Sequence, residues 1–493
     1  MQYDVLVVGG GLLGCFVARN LSRYAYRIGL LEANNDVCMG ISRASTAIIY
    51  PGYDQKPGSL KARLTVRAAQ TFGALCQELD VPYRQPGSLM VACGPQGVRM
   101  LEKKREQGQA NGVKGLEILD REAVLSMEPN LSSSVCAGLY APVTSTVNPW
   151  ELCIAAAESA VANGVDFHLD TKVSGITRTA GGFRVMAGDA EYTCRMLVNC
   201  AGLFADAIND MVAAPTFRIR PSKGDYWVLD EGTGSFINHI ILHEPEIKGK
   251  GATLVPTVDG NLLLGPSKEK TQDKKDFSTT REGLCFVEET AAEIFPALPL
   301  EQRIRAFSGL RPELEMVRQA DDGSLVPTGE RMHDLLIFRP EDAPRMVNLA
   351  GIKTPGLTCA DEIGRYVTDM VLEVLGSPGE NTAFASNRTG PVRFSTSSPD
   401  EKERLIKKDP CYGRVVCRCR TITEAEIRDA IRRPLGAQTV DGVKRRTGAQ
   451  MGRCQGGYCT HQILKILSAE LGRPVFEIDK DACGSPIVYE RSR

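Results

Sequence analysis

Four cysteines near the C-terminal end are spaced for metal chemistry. Cys417 and Cys419 stand in VCRCRTITEAEI, Cys454 and Cys459 stand in MGRCQGGYCTHQ, and 34 residues separate the two pairs. Side chains at i and i+2 of an extended segment point the same way, so Cys417 and Cys419 are expected to converge on one metal ion. Gly456 and Gly457 leave a loop open for backbone N–H groups to donate to sulfur. Structural zinc prefers two to four residues between paired cysteines, so this spacing suits it poorly, though zinc and unbound thiols remain alternatives here. The other twelve of the sixteen cysteines are scattered through apolar or helical segments, as small buried hydrophobes are. They do not read as a disulfide framework.

A second constellation opens the chain. An apolar run at Asp4–Val8 meets GGGLLG, in which Gly9, Gly11 and Gly14 have dinucleotide spacing, and residues 12–22 suit a helix. A second buried run, Ile28–Leu31, ends at Glu32. Glycines allow the tight turn and a close approach of backbone to a pyrophosphate. The helix N-terminus offers unpaired amides, and a carboxylate after the second strand can accept from a ribose hydroxyl. The motif alone leaves the choice between FAD and NAD open.

The stretches around these motifs carry a resemblance. EANNDVCMGISRASTAIIYPGYDQKPGSLKARL, LDREAVLSMEPNLS, VNCAGLFAD, GKGATLVPTVDGNLLLGP, FSGLRPE and AGIKTPGLT resemble the D-amino-acid-oxidase-like flavoprotein superfamily. Within it, they look most like the branch of L-2-hydroxyglutarate dehydrogenases and anaerobic glycerol-3-phosphate dehydrogenase-like proteins. The resemblance implies FAD. It places Gly40, Ser42, Arg43, Ser45 and Thr46 near the ribityl and pyrophosphate, and Val173 by the adenine. Ala201 and Gly202, and then Gly351, Ile352, Gly356, Leu357 and Thr358, would lie against the cofactor. The cysteine-bearing run likewise resembles the [2Fe-2S] domain of bacterioferritin-associated ferredoxins, which also ends anaerobic glycerol-3-phosphate dehydrogenase large subunits.

A hydride acceptor and a one-electron cluster on one chain imply a dehydrogenase whose electrons leave singly to a protein partner or subunit. Arg311 in FSGLRPE is the expected anchor for a small anionic substrate, because a guanidinium fork suits carboxylate or phosphate. Lys353 is a candidate source of positive charge at the flavin loop. His239, which with His243 brackets the apolar run Ile240–Leu242, is a candidate base, whereas His168 and His461 read as structural. The family usually carries histidine in the segment that here reads AIIYPGYD, where Tyr50 stands. A tyrosine with a reference pKa near 10 orients substrate more readily than it removes a proton. GIKTPGLT also departs from the GGKLTTYR usual in glycerol-phosphate enzymes, which favours a hydroxyacid-type pocket. The expected reaction is oxidation of a 2-hydroxy acid or glycerol 3-phosphate. A proline- or hydroxyproline-like amine or imino-acid dehydrogenase and a non-catalytic electron-transfer subunit are the other readings.

The elements that must position these residues imply an α/β chain of several units. Residues 1–85, 145–215 and 335–375 are assigned to a Rossmann-like FAD-binding domain. Residues 86–144 and 216–334, whose short strands lie between Gly and Pro breaks, are assigned to an inserted antiparallel β-sheet substrate domain. Residues 376–410, rich in Ser, Pro, Gly and charge, read as a linker. Residues 411–475 are assigned to a small helical [2Fe-2S] domain, with 476–493 as a tail. In that domain the capping box Thr423-x-x-Glu426 opens one helix, and a second is expected from about Thr460 to Leu471. Ten Arg or Lys face four acids between Cys411 and His461. They either balance the thiolates or form a docking face for an acidic partner. A net charge of −1 over 493 residues gives no reason to expect nucleic acid. No run of about 20 apolar residues and no signal peptide is seen, so a cytoplasmic protein is expected.

Overall fold

A computed structural model describes residues 1–243, 251 and 253–489. Gly249, Lys250 and Ala252 of the GKGATLVP run, and residues 490–493 of the tail, lie outside the described residues. Among the described residues, eight strands form a mixed sheet around the strand Gln2–Val8. That strand pairs in parallel with Ile28–Leu31 on one side and Ala190–Asn199 on the other. Asp166–His168 extends one edge and Met346–Ala350 pairs with the end of Ala190–Asn199, both in parallel. Ile28–Leu31 and Met346–Ala350 are buried at every position, as a parallel sheet covered by helices requires, whereas the edge strand Asp166–His168 is not. The covering helices include Leu12–Leu21, Pro149–Ala162 and Gly356–Leu375. Asn148 caps the second of these, accepting from the N–H groups of Trp150 and Glu151 at 3.1 Å each, with Pro149 at the first helical position.

The other large sheet has ten described strands and is antiparallel except where Ile240–His243 joins Ser88–Ala92. Its spine is the pair Phe217–Leu229 and Arg303–Gln319, in register from Phe217 opposite Met316 to Trp227 opposite Ala306. One face packs Leu89, Ile241, Leu254, Leu262 and Leu264 against the helix Arg281–Ile294. The opposite face carries Met90, Ile240, Leu242, Val255, Leu263 and Tyr226, with Tyr50 packed against it. A three-stranded sheet of Ile48–Ile49, Ser145–Val147 and Tyr83–Arg84 lies where the chain passes between the two.

Residues 376–410 are pinned rather than free. Arg388 bonds the buried Glu158 at 2.6 Å, Gly390 N–H donates to Asp80 at 2.8 Å, Arg393 pairs with Asp80 and Glu151, and Pro399–Lys408 is a helix. A composition that reads as flexible is therefore tied down by its charges. The cluster module holds the capping-box helix Glu424–Arg432 and the helix Thr460–Leu471, ended by Gly472 at φ +64°. Between them lies a helix unexpected from the sequence, Val440–Thr447, capped by Thr439 and closed by Gly448 at φ +76°. The tail belongs to the same body, since Ile478 is buried in the module's core.

Candidate functional site

The register of the parallel strands brings three glycine turns together. Val8 lies beside Asn199, and Asn199 beside Asn348, so Gly9, Ala201-Gly202 and Gly351 all follow the carboxyl ends of adjacent strands. That end of an α/β sheet is where ligands bind. Gly9 adopts φ +109°, and a Cβ there would stand 2.5 Å from the carbonyl oxygen of Cys200; one on Gly14 would stand 1.9 Å from that of Gly9. Only glycine fits at either. Gly202 (φ +57°) and Gly351 (φ +63°) turn in the same left-handed region.

Glu32 is buried and accepts from the N–H of Gly10 at 2.6 Å, and from the N–H and side-chain amide of Asn34 at 2.8 and 2.6 Å. Burial raises its pKa despite these bonds. Ser42 accepts from the N–H of Leu12 at 2.9 Å, which fastens the segment from Gly40 to Thr46 across the start of the first helix. Arg43 lies over the Phe277 ring at 4.3 Å, its carbonyl accepts from the Trp150 indole at 2.9 Å, and Ser45 accepts from Ala47 N–H at 3.1 Å. Val173 packs with Val8 and Leu31. After Gly351, with Ile352 in the core beneath, the chain starts the helix Gly356–Leu375, whose N-terminus has no side-chain cap. Thr358 in its first turn accepts from Tyr50 N–H at 3.0 Å. Leu357 packs with Leu12 and Phe16.

The antiparallel sheet meets this site at Gly309. A Cβ there would lie 3.0 Å from Ala44, so sheet and cofactor-side loop are in contact. Side chains alternate along a strand, so Phe307, Gly309, Arg311 and Glu313 share that face with Tyr226, Gly224 and Ser222 opposite them. Arg311 donates to the carbonyls of Lys223 at 3.4 Å and Ser267 at 3.2 Å. It has no ion pair among the described residues. Gly224 makes room for it, since a Cβ would stand 2.3 Å from its Nη2. Tyr226 stacks on Phe307 with centroids 4.7 Å apart. Burial raises the Tyr226 phenol's pKa, with Arg311 opposing. Burial also pushes the Tyr50 phenol well above the ordinary tyrosine value, with Arg311 again acting the other way. Arg311, Tyr50 and Tyr226 thus stand together. Sequence reasoning missed Tyr226 and the facing pair Gly224–Gly309, although glycines within strand runs do mark close approach.

Two expected residues sit differently. His239 donates or accepts through Nδ1 to Glu128 at 2.8 Å, and its own backbone N–H reaches the same carboxylate oxygen at 2.6 Å. Its ring meets Tyr140 edge-on at 5.7 Å, and Tyr140 packs on the Ile241 face turned towards Arg281–Ile294, whereas Tyr50 packs on the other. Lys353 is half-exposed and paired with Glu313, which also accepts from Ser222 at 3.0 Å. Burial opposes ionisation of Glu313, and the Lys353 contact outweighs it and holds the carboxyl below its ordinary value. Much of the charge expected from Lys353 is spent there.

The four cysteines converge, but not in sequence pairs. Cys419 Sγ lies 3.5 Å from Cys454 Sγ, and Cys417 hydrogen-bonds Cys459. The strand Val415–Cys417 ends at Cys417 and the chain turns through Thr421 at φ +52°, so the i, i+2 alternation does not carry to Cys419. Cys417 and Cys459 are buried and Cys419 and Cys454 half-buried. The Cys459 hydrogen bond, against burial, lowers the Cys417 pKa, aided by the N–H groups of Gln450, Arg420 and Cys419. Burial pushes Cys454 up, but the Cys419 contact and the N–H groups of Gly456, Tyr458 and Gly457 bring it down. Cys459 and Cys419, their partners, are pushed up in turn, and the N–H groups aimed at Cys417 and Cys454 are donors that suit an iron–sulfur cluster.

Eight of the module's ten basic side chains pair within the chain. Arg414, Arg428 and Arg432 meet Glu424 or Glu470 of the module. Arg420, Arg433, Arg445, Arg446 and Arg453 reach Glu231 and Asp259, Glu158, Asp36, Asp36 again, and Asp230. The surplus that suggested a docking face is largely the module's attachment to its own chain.

Such a fold and two such sites define a flavin-dependent oxidoreductase with a built-in cluster domain. Residues 4–370 match the family model of the FAD dependent oxidoreductases, and the chain belongs to that family. Residues 415–469 match the BFD-like [2Fe-2S] binding domain. The chain is 41% identical over 487 residues to a glycerol 3-phosphate dehydrogenase of Caloramator mitchellensis, covering 99% of this chain and 98% of that one. It is 26% identical to anaerobic glycerol-3-phosphate dehydrogenase subunit A1 of Haloferax volcanii, covering 95% of this chain and 83% of the other. The fold matches the dithionite-reduced, FAD-bound L-α-glycerophosphate oxidase of Mycoplasma pneumoniae with a TM-score of 0.71 at 24% identity, covering 80% of this chain and all of that one. The cofactors are FAD and a [2Fe-2S] cluster. The glycine turns that admit no Cβ, the uncapped helix at Gly356 and the four convergent thiols fit these groups. No helix among the described residues is long and apolar enough to cross a membrane.

Proposed function

We propose that the chain oxidises sn-glycerol 3-phosphate at its secondary carbinol, and that the electrons leave singly to a protein partner in a cytoplasmic setting. The observation that carries this is Arg311: a guanidinium on the flavin-facing wall, held by two carbonyls and opposed by no carboxylate among the described residues. A fork so placed lacks an anion, and a phosphate supplies one bidentately. The whole-length likeness to a glycerol 3-phosphate dehydrogenase supports phosphate over the hydroxyacid pocket that GIKTPGLT suggested.

Bound FAD would accept the hydride, and the [2Fe-2S] cluster would pass the electrons on one at a time. Gly9, Gly11, Gly14 and the segment from Gly40 to Thr46 would hold the diphosphate, and Glu32 the adenosine ribose. Gly351 to Thr358 would present backbone to the flavin. Arg311 orients the substrate, and Gly224 and Gly309 keep the wall flat enough for it to approach. Tyr50, kept neutral by burial, donates a hydrogen bond and does not act as base. Tyr226 and Phe307 close the side of the pocket. Cys419 with Cys454, and Cys417 with Cys459, would each hold one iron.

Anaerobic mixing with substrate tests the assignment through flavin bleaching. Rapid bleaching by sn-glycerol 3-phosphate is expected. Bleaching by L-2-hydroxyglutarate or proline alone would replace the substrate assignment, and bleaching by none of the three would refute it.

A further inference from the structure

A chain of ion pairs joins the dinucleotide site to the cluster module. Asp36 is buried in the loop after the second strand, two residues before Cys38, whose N–H donates to Gly10 of the glycine turn at 3.0 Å. Both Asp36 oxygens take Arg446 at 2.8 Å, and Arg445 adds a contact at 3.0 Å. Arg445 also meets Asp481 at 2.7 Å, and the other oxygen of Asp481 faces Arg43 at 3.4 Å. Arg43 follows Ser42, the residue fastened to the start of the first helix. The route therefore begins and ends beside the glycine turn and passes through the helix Val440–Thr447 on the way.

Its charges do not balance. Three guanidinium groups, Arg43, Arg445 and Arg446, face two carboxylates, Asp36 and Asp481. Lys444, on the same helix, has no ion pair among the described residues. Burial first, and then Arg305, lower its pKa to about 8, as for a cation held out of water with like charge nearby. Positive charge left over in a largely buried joint favours binding of an anion, and the cofactor with its diphosphate beside Gly40 to Thr46 is one. The helix in turn depends on the cluster loops, because Cys417 and Cys459 are part of the same small core as Val440 and Val443.

We propose that the cluster module is a clamp on FAD: the network Arg43–Asp481–Arg445–Asp36–Arg446 makes cofactor retention and the cluster-loaded, docked module mutually dependent. Such coupling is reciprocal, so FAD also steadies the cluster. It rests on the two cofactors and not on the substrate.

The test is the dissociation constant of FAD, read anaerobically by flavin fluorescence on the full chain. Wild type, Asp36→Asn, Cys454→Ala and the double variant are compared, with Arg418→Ala, an exposed residue outside the network, as control. Each single substitution is expected to weaken FAD binding at least tenfold. The double variant should be within threefold of the weaker single, because both break one network. Asp36→Asn should keep the reduced-cluster EPR signal, so its loss of FAD is not loss of iron. FAD affinity within twofold of wild type in Cys454→Ala overturns the proposal, as do fully multiplicative effects in the double variant. If Asp36→Asn does not fold, Arg446→Met takes its place under the same criteria. Since no substrate is present, failure here leaves the glycerol 3-phosphate assignment untouched.

Discussion

Replacing Arg311 by Met should separate substrate grip from fold. The guanidinium shares its sheet face with Gly309 and Tyr226, is half-buried, and donates to the carbonyls of Lys223 and Ser267 at 3.4 and 3.2 Å, with a further contact to the Tyr226 phenol. Loss of these neutral-acceptor bonds costs about 2 kcal/mol in stability. Loss of a charge-assisted, bidentate grip on a phosphate costs more, about 2–4 kcal/mol at a half-buried site. At 1.36 kcal/mol per decade that is roughly a 30- to 900-fold fall in kcat/KM. Arg311→Lys keeps the charge without the fork and should recover only part of it. The assay is anaerobic flavin reduction by sn-glycerol 3-phosphate, with glycerol as the neutral comparison. The fall should be confined to the phosphorylated substrate, while thermal unfolding shifts by a few degrees. A variant within fivefold of wild type, or one that loses glycerol turnover equally, would refute a phosphate-binding role.

Other outcomes follow from neighbouring geometry. Gly224→Ala puts a methyl 2.3 Å from Arg311 Nη2 and 2.7 Å from the Ser267 carbonyl, so KM should rise about tenfold with a smaller change in kcat. Tyr50→Phe should slow turnover but leave the kcat/KM profile between about pH 6 and 9 unchanged in shape, because burial raises the phenol pKa and keeps it neutral there. The sign for stability is the same: Tyr50 favours the fold below the free tyrosine value near 10, and that contribution fades as alkali ionises the unfolded chain. Loss in the Phe variant of an ionisation present in the wild-type profile would sink this role. Glu32→Gln should raise the FAD dissociation constant about tenfold or more, since an amide nitrogen would then face an N–H of Gly10 or of Asn34; fluorescence titration checks it. Lys353→Met should lower kcat/KM less than about fivefold, its charge being engaged by Glu313, and a larger loss in steady-state kinetics would restore a direct role.

The dinucleotide turn was legible because backbone sterics leave few alternatives. Positions 9 and 14 admit only glycine, and Glu32 follows the one strand that brings it to Gly10. The cysteines were legible for a similar reason, since few folds use such spacing, yet their pairing was not. Alternation holds only while the segment stays extended, and this one turns after Cys417. His239 shows the same limit in another form. The run Ile240–Leu242 is apolar at every position and buried on both faces, so no pattern told which face the bracketing histidines share. The helix Val440–Thr447 escaped notice because Val440 and Val443 are its only large apolar residues, and the rest reads as a solvated basic turn.

That last miss bears on how charge in a sequence is to be read. Ten bases against four acids suggest an acidic partner in trans only if the bases are exposed, and composition carries no information on exposure. Arg445 and Arg446 are buried on Asp36, more than 400 residues away in the chain, and Glu158 serves Arg388 and Arg433 together. A guanidinium suits such joints because its planar fork satisfies a buried carboxylate with paired bonds, where a lysine meets it as a point charge. Nine of the ten bases are arginine, a composition that fits internal attachment better than long-range steering. With eight of them paired inside the chain, Arg418 and Lys444 are the two without an ion pair among the described residues. A partner that receives electrons from the half-buried Cys419 and Cys454 side therefore meets little free charge from the module itself, and salt should slow the exchange only weakly. A steep fall in electron-transfer rate between low and physiological ionic strength would show that the docking charge comes from elsewhere on the surface.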